Sequence, residues 1–199
     1  MQGLLVIISA PSGGGKDAVI AQLVKRFPNS TRFVTTTTRP LRNDDTPGVN
    51  YNFISTEQFE KKIKNNEFFE YAQYAGNYYG SDKKLFMNNL LQFNIIFLIV
   101  DVKGKRSFDK TDLEKISIFL LPESLDMLKK RIERRGGIKS EVIEERLKIA
   151  KKEIKESKDY DYRITNFQGR LKQTVAEIEK IINNELRKRK ALDKMTGFR

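Results

Sequence analysis

Apolar residues in this chain fall into short solid runs separated by stretches of helical spacing. Leu4-Leu5-Val6-Ile7-Ile8-Ser9 reads as a buried strand. Ile95-Ile96-Phe97-Leu98-Ile99-Val100 and Ile116-Ser117-Ile118-Phe119-Leu120-Leu121 repeat the pattern, with Tyr162-Arg163-Ile164-Thr165 as a weaker copy. Solid runs of this length mark strands covered on both faces. Helical patterns lie between them: Ala18 to Phe27, stopped by Pro28, then Lys83 to Phe93, Leu125 to Arg135, Ser140 to Lys158 and Leu171 to Lys190. Strands alternating with helices predict an α/β fold, a mostly parallel sheet with helices on both faces.

Two segments break the rhythm. Between about Thr35 and Ser81, strand-like pieces (Tyr51-Asn52-Phe53-Ile54 and Phe69-Glu70-Tyr71) surround one helix, Thr56 to Asn65. Tyr71, Tyr74, Tyr78 and Tyr79 crowd this stretch, and strand aromatics usually pack, so Tyr71 and Tyr74 are expected in a core. The second break is the basic segment Arg131 to Arg146, interrupted at Gly136-Gly137, which reads as a hinged lid.

Between the first strand and the first helix lies Ala10-Pro11-Ser12-Gly13-Gly14-Gly15-Lys16-Asp17. Strand, glycine loop and helix are the context of a phosphate-binding loop. Backbone N–H groups curl around phosphate oxygens, the helix N-terminus adds a positive dipole end, and Lys16 adds a point charge. The usual pattern ends in a magnesium-binding hydroxyl after the lysine. Here that residue is Asp17, and Ala10 replaces the first glycine.

Composition narrows the chemistry. The 199 residues suit one domain with a real core. There is no cysteine, no secretory pattern before the first strand and no apolar run of the roughly 20 residues that span a bilayer, so a soluble cytoplasmic protein with no membrane partner is expected. Net charge is +12, which suits polyanionic partners. Much of it sits in runs such as Arg187-Lys188-Arg189-Lys190, and no nucleic-acid reading motif accompanies it. Nucleic acid is therefore not expected as the main partner. There is no histidine either, which excludes every mechanism with an imidazole base or imidazole metal ligand.

Several ordered blocks carry a resemblance. Beside the loop stand Thr36-Thr37-Thr38-Arg39-Pro40-Leu41-Arg42, Gly48-Val49-Asn50-Tyr51-Asn52-Phe53, Phe68-Phe69-Glu70-Tyr71-Ala72, Gly76-Asn77-Tyr78-Tyr79-Gly80-Ser81, Asp101-Val102-Lys103-Gly104 and Arg131-Ile132-Glu133-Arg134-Arg135-Gly136. In this order the chain resembles the guanylate kinases over nearly its full length. The resemblance implies a P-loop nucleoside monophosphate kinase fold with a mostly parallel five-stranded core sheet. The core would comprise residues 1–34, 82–128 and 150–190, with a GMP-binding insertion of mixed and antiparallel strands at 35–81. A helical lid at 129–149 and a basic tail at 187–199, read as a frayed helix end, complete the division. It implies ATP and GMP (or dGMP) as substrates, Mg2+ with ATP as cofactor, and a monomer or homodimer.

The same resemblance assigns residues. Arg39, Arg42, Tyr51 and Tyr79 would grip the GMP phosphate, where guanidinium forks and phenol hydroxyls match phosphate oxygens. Glu70, helped by Ser81 and Thr35, would read guanine, and Gly80 and Asp101 would also bind GMP. A carboxylate accepts both the N1–H and the exocyclic N–H of guanine, and adenine has no N1–H to offer. Ser12, Gly13, Gly14, Gly15, Lys16 and Asp17 would hold the ATP phosphates with Arg131, Arg135 and Arg146 of the lid, and Asn166 would contact the adenine side. The bland readings are turn arginines at Arg39 and Arg42, an exposed strand carboxylate at Glu70 and a surface helix arginine at Arg146. The acceptor phosphate, with a second pKa near 6, is already an anionic nucleophile, so transfer needs no base.

Two positions depart from the family: Asp17, and Ile99, where the family usually has an acid two residues before Asp101. Asp17 reads as a magnesium ligand, a brake on ATP binding, or a favourable acid in the first helical turn. Asp101 would touch metal only through water. Loss of a carboxylate at position 99 and gain of one at position 17 read as compensating changes. Two alternatives stay open: a kinase of ribose 1,5-bisphosphate, whose members also carry Asp after the loop lysine, and a catalytically impaired guanylate-kinase-like binding module.

Overall fold

The structure, a computed structural model, describes residues 3–43, 45–74, 76–134 and 140–196. In chain order the elements are β1 (Leu4–Ser9), α1 (Lys16–Arg26), β2 (Ser30–Arg32), β3 (Thr36–Thr37), β4 (Asn52–Phe53), α2 (Thr56–Lys64), β5 (Phe68–Tyr74), β6 (Asn77–Asp82), α3 (Lys83–Gln92), β7 (Ile95–Ile99), α4 (Val102–Asp109), β8 (Lys115–Pro122), α5 (Leu125–Glu133), α6 (Ser140–Glu156), a short 3-10 turn (Ser157–Asp159), β9 (Tyr162–Asn166) and α7 (Leu171–Thr196). Five strands form one sheet in the order β2-β7-β1-β8-β9, and the pairs β2·β7 and β8·β9 run parallel. A second sheet, β4-β3-β6-β5, is mixed: β3·β4 is parallel, while β3·β6 and β5·β6 are antiparallel. The α/β architecture and the mixed-strand insertion are those expected from the sequence.

The chain divides into two compact units, Met1–Ile7 with Asn29–Ile116, and Ile8–Pro28 with Ser117–Arg199. In the first, Leu5, Ile7, Ile96 and Leu98 pack with Phe33, Phe86, Leu90 and Phe108. Ring centroids of Phe33 and Phe108 lie 5.0 and 5.4 Å from that of Phe86, tilted as aromatic quadrupoles prefer. Helix starts are set by side chains. Ser55 and Gln58 close a capping box on α2, and Asp82 and Asp101 accept from the N–H groups of Leu85 and Gly104 to cap α3 and α4.

In the second unit, Leu128 and Ile132 of α5 meet Ile143, Leu147 and Ala150 of α6, all at i, i+4 or i, i+7 spacing. Helix α1 packs on α7, where Arg26 and Glu179 form an ion pair.

Several expectations need correction. Helix α5 ends at Glu133 rather than Arg135, and α1 begins two residues earlier than its pattern, at Lys16. Strand β9 is an edge strand with only Ile164 and Asn166 buried, which explains its weaker apolar run. The basic tail continues α7 to Thr196, past the expected end at Lys190. Its Arg, Lys, Ala, Leu and Met residues are strong helix formers, and no glycine or proline intervenes before Gly197. Tyr71 is not a core residue: it is 51% exposed and only edges onto Phe59 and Phe68. The Tyr74 side chain and the Gly136-Gly137 break lie outside the described residues.

Candidate active site

In the first unit the mixed sheet sorts side chains by strand alternation. Tyr78 turns to the α2 side, where its ring stacks on Phe59 with centroids 5.2 Å apart. Gly80 sits on that same side, in close contact. A Cβ there would lie 2.9 Å from Phe68, 3.0 Å from Phe59 and 3.1 Å from the Glu70 carbonyl, so the glycine of this block serves packing. Tyr79 and Ser81 take the opposite face. The Tyr79 ring meets Tyr51 edge-on at 5.7 Å, and the Ser81 hydroxyl, fully buried, donates to Glu70 Oε1 at 2.6 Å. Burial pushes the Glu70 carboxyl up, the Ser81 hydrogen bond opposes that, and the negative charge of Asp101 adds to the rise.

Arg39 joins this face. Its guanidinium lies over Tyr51 and Phe53, 5.3 and 5.6 Å from their centroids. Asp45 holds it by both carboxylate oxygens and also accepts the Arg42 backbone N–H at 2.8 Å. The Arg42 side chain is exposed on the same loop. Thr35 precedes β3, and its carbonyl accepts from Asn52 N–H at 2.9 Å. Asp101 is exposed at the start of α4, one oxygen spent on the cap. A guanidinium over aromatic faces, two phenols and a half-buried carboxylate on one sheet can hold a small anion attached to a planar ring.

In the second unit the glycine loop closes on itself through Gly14 N–H to Pro11 O at 2.8 Å. Gly15 adopts a left-handed conformation, φ 90°, and forms the N-cap of α1 without a side-chain cap, so the positive end of the helix dipole faces the glycine loop. The Lys16 ammonium folds over the loop to the Ala10 carbonyl at 2.7 Å. Asp17 is exposed in the first turn of α1, and Ser12 is exposed at the loop's crest. Beside the loop lies an open pocket of ≈ 170 Å3 lined by Gly13, Gly15, Ala18, Arg131, Asn166, Phe167, Gln168, Gly169 and Leu171. Arg131 is anchored there, Nε to Gln168 Oε1 and Nη2 to the Asn166 carbonyl, both at 2.9 Å. An anion-binding helix start beside a half-apolar cleft fits a nucleotide whose phosphates lie on the loop.

The family model described as guanylate kinase matches residues 2–185. The chain belongs to the guanylate kinase family. The guanylate kinase of Clostridioides difficile (strain 630) is 41% identical over 187 residues, covering 94% of this chain and 90% of that protein. That of Carboxydothermus hydrogenoformans is 38% identical over 192 residues, with 96% and 93% coverage. The crystal structure of guanylate kinase from Anaplasma phagocytophilum is similar, with a TM-score of 0.72 at 29% identity over 92% of this chain and 86% of that one.

Within this guanylate kinase fold, Arg39, Tyr51, Tyr79, Glu70 and Ser81 gather on one sheet face, and Gly13, Gly15, Arg131 and Asn166 line one pocket. Arg146 stands half-buried on α6 and is not among the residues lining that pocket. Arg135 lies outside the described residues. Sequence reasoning missed Asp45, Phe53, Gln168 and Thr174. None of them carries a signal that spacing or residue type picks out, and an acid six positions after Arg39 draws no attention near an expected phosphate site.

Proposed function

We propose that the chain transfers the γ-phosphoryl group of ATP to GMP or dGMP, giving ADP and GDP or dGDP. The observation that carries this reading is the pairing of a half-buried Glu70, oriented by Ser81, with the Arg39–Tyr51–Tyr79 cluster on the same face. One end suits the N1–H and amino group of guanine, the other a phosphate monoester.

An oxygen of the dianionic GMP phosphate attacks Pγ as the bond from Pγ to the ADP oxygen breaks. No proton has to be removed first, which suits a chain without histidine. Lys16, the loop N–H groups and Arg131 neutralise the donor phosphates, and Arg135 and Arg146 are assigned to the same task. Arg39 and Arg42 hold the acceptor. Catalysis is then positioning plus electrostatics.

The donor set fits magnesium carried by ATP. Among the described residues there is no cluster of three carboxylate, histidine or cysteine ligands. Magnesium commonly keeps several waters and takes one or two carboxylates plus substrate phosphates, and Asp17 beside Lys16 offers one such carboxylate. Bound there, the metal would offset phosphate charge; Asp101 would reach it only through water. No helix among the described residues is long and apolar enough to cross a membrane.

The reading is tested by Glu70→Gln assayed with GMP and with AMP. A rise in KM for GMP of about 10- to 100-fold supports it, since a charge-assisted hydrogen bond is worth about 1.5–3 kcal/mol. An unchanged KM for GMP contradicts it.

A further inference from the structure

We infer that Asn166 is a positioning residue that fixes the orientation of the Gly14–Gly15 peptide in the phosphate-binding loop. The inference rests on reading that loop as the ATP site. Asn166 ends β9 and is 6% exposed, yet every polar group of its side chain is used. Its Nδ2 donates to the Gly14 carbonyl at 2.9 Å, and its Oδ1 accepts from the Thr174 hydroxyl of α7 at 3.0 Å. The assignment of amide ends is forced: a carbonyl can only accept, so the NH2 group faces Gly14.

The consequence follows from peptide geometry. All described peptides are trans, and in a trans unit the C=O and the following N–H point to opposite sides. With the Gly14 oxygen held by Asn166, the Gly15 N–H points away from Asn166. Were this peptide to flip, it would offer a carbonyl oxygen where a phosphate needs a donor. Flipping is the specific hazard of a glycine run, because three successive glycines resist it little. Glycine at position 15 is also what allows the strut. Its φ is 90°, and a Cβ there would sit 2.7 Å from Asn166 Nδ2.

The same residue serves the lid side of the pocket. Its backbone carbonyl accepts from Arg131 Nη2, and Gln168, two residues on, accepts from Arg131 Nε. One short segment at the end of β9 therefore aims both a loop N–H and an arginine at the donor phosphates. Thr174 orients the amide from behind and touches neither.

Asn166→Asp tests this, because the new side chain keeps the size and the Thr174 acceptor but turns a carboxylate oxygen on Gly14. ADP and GMP dissociation constants of the full chain are measured by titration calorimetry, with the Gly15 amide proton shift followed on ADP addition. The inference expects ADP affinity to fall roughly tenfold or more and GMP affinity to hold within about twofold. The ADP-induced Gly15 shift should shrink. ADP affinity should recover in part as pH falls and the carboxyl regains a proton to donate. ADP affinity within about twofold of wild type, or equal losses for ADP and GMP, would overturn it. Should that variant not fold, Thr174→Val and Thr174→Ser replace it: loss of ADP affinity in the first with retention in the second supports the strut, and equal behaviour overturns it. A wild-type chain that binds no ADP would instead sink the nucleotide reading of the loop.

Discussion

Asp45 grips Arg39 through a single nitrogen, Oδ1 and Oδ2 each lying 2.8 Å from Nη2, with the two side chains only 10% and 9% exposed on the Arg39 and Asp45 sides. The arginine expected to hold the acceptor phosphate is thus held in place by its own loop. It is pinned on the Tyr51 and Phe53 faces by a carboxylate from its own loop.

Arg39→Ala should raise KM for GMP about 10- to 100-fold and leave KM for ATP within about twofold, since a charge-assisted phosphate contact is lost. It also strands Asp45 without its partner. The double variant Arg39→Ala/Asp45→Asn should therefore have a higher Tm than Arg39→Ala alone, read by thermal melting. A double variant less stable than the single one would contradict the pairing.

The two carboxylates of this face move in opposite directions, and that shapes the pH response. Burial pushes Glu70 up against the Ser81 hydrogen bond, so its cost in the folded state is present above its raised pKa and disappears as pH falls through it. For Asp45 burial alone would raise the carboxyl, but the Arg42 N–H and Arg39 hold it below the usual range. Its contribution is present above its ordinary value and is lost only as pH drops through the lowered one. Lowering the pH should therefore protonate Glu70 first and weaken guanine binding while the Arg39 loop stays intact. Glu70 should add to the acid limb of kcat/KM for GMP a component with its midpoint above the ordinary glutamate value, beside the titration of the GMP phosphate itself, and Glu70→Gln should lose that component alone. Glu70→Gln should melt no lower than wild type near neutral pH.

Neighbouring tyrosines should separate cleanly. Tyr79→Phe removes a phenol from the phosphate side and should raise KM for GMP about tenfold without a change in Tm. Tyr78→Ala removes the ring stacked on Phe59 and should lower stability by about 2–4 kcal/mol in denaturant unfolding. Gly80→Ala should do both, because the added methyl meets Phe68, Phe59 and the Glu70 backbone together.

Much of this arrangement is legible in the chain. The Leu4–Ser9 run is solid because β1 is buried along its whole length, and the observed strand matches it residue for residue. Strand β2 and helix α4 left no such trace. Ser30–Arg32 is three residues, all polar and with only Ser30 buried, and Val102–Asp109 is short and half charged, its signal confined to the Asp101 cap. At the candidate site, block order pointed to Arg39, Glu70, Tyr79 and Ser81, and strand alternation explains why Tyr79 rather than Tyr78 faces Tyr51. The Asp45 clamp and the Asn166 strut were not readable. Each joins residues by contacts that spacing does not encode, six positions apart in one case and 152 in the other.

Asp17 should report on the metal. Asp17→Ala should raise the free Mg2+ needed for half-maximal rate several-fold, and Asp17→Ser, restoring a hydroxyl donor, should largely reverse that. Combining Asp17→Ser with Ile99→Asp should give a change in kcat/KM that differs from the product of the single effects. Strictly multiplicative effects would separate the two positions.

The central claim is base-specific phosphoryl transfer, and one coupled assay tests it most directly: ADP release from ATP with GMP, AMP or ribose 1,5-bisphosphate as acceptor, with and without Mg2+. The account predicts Mg2+-dependent turnover with GMP and rates at least about 100-fold lower with AMP and the sugar bisphosphate. GMP that binds tightly but is never converted, or faster turnover of ribose 1,5-bisphosphate than of GMP, would contradict it.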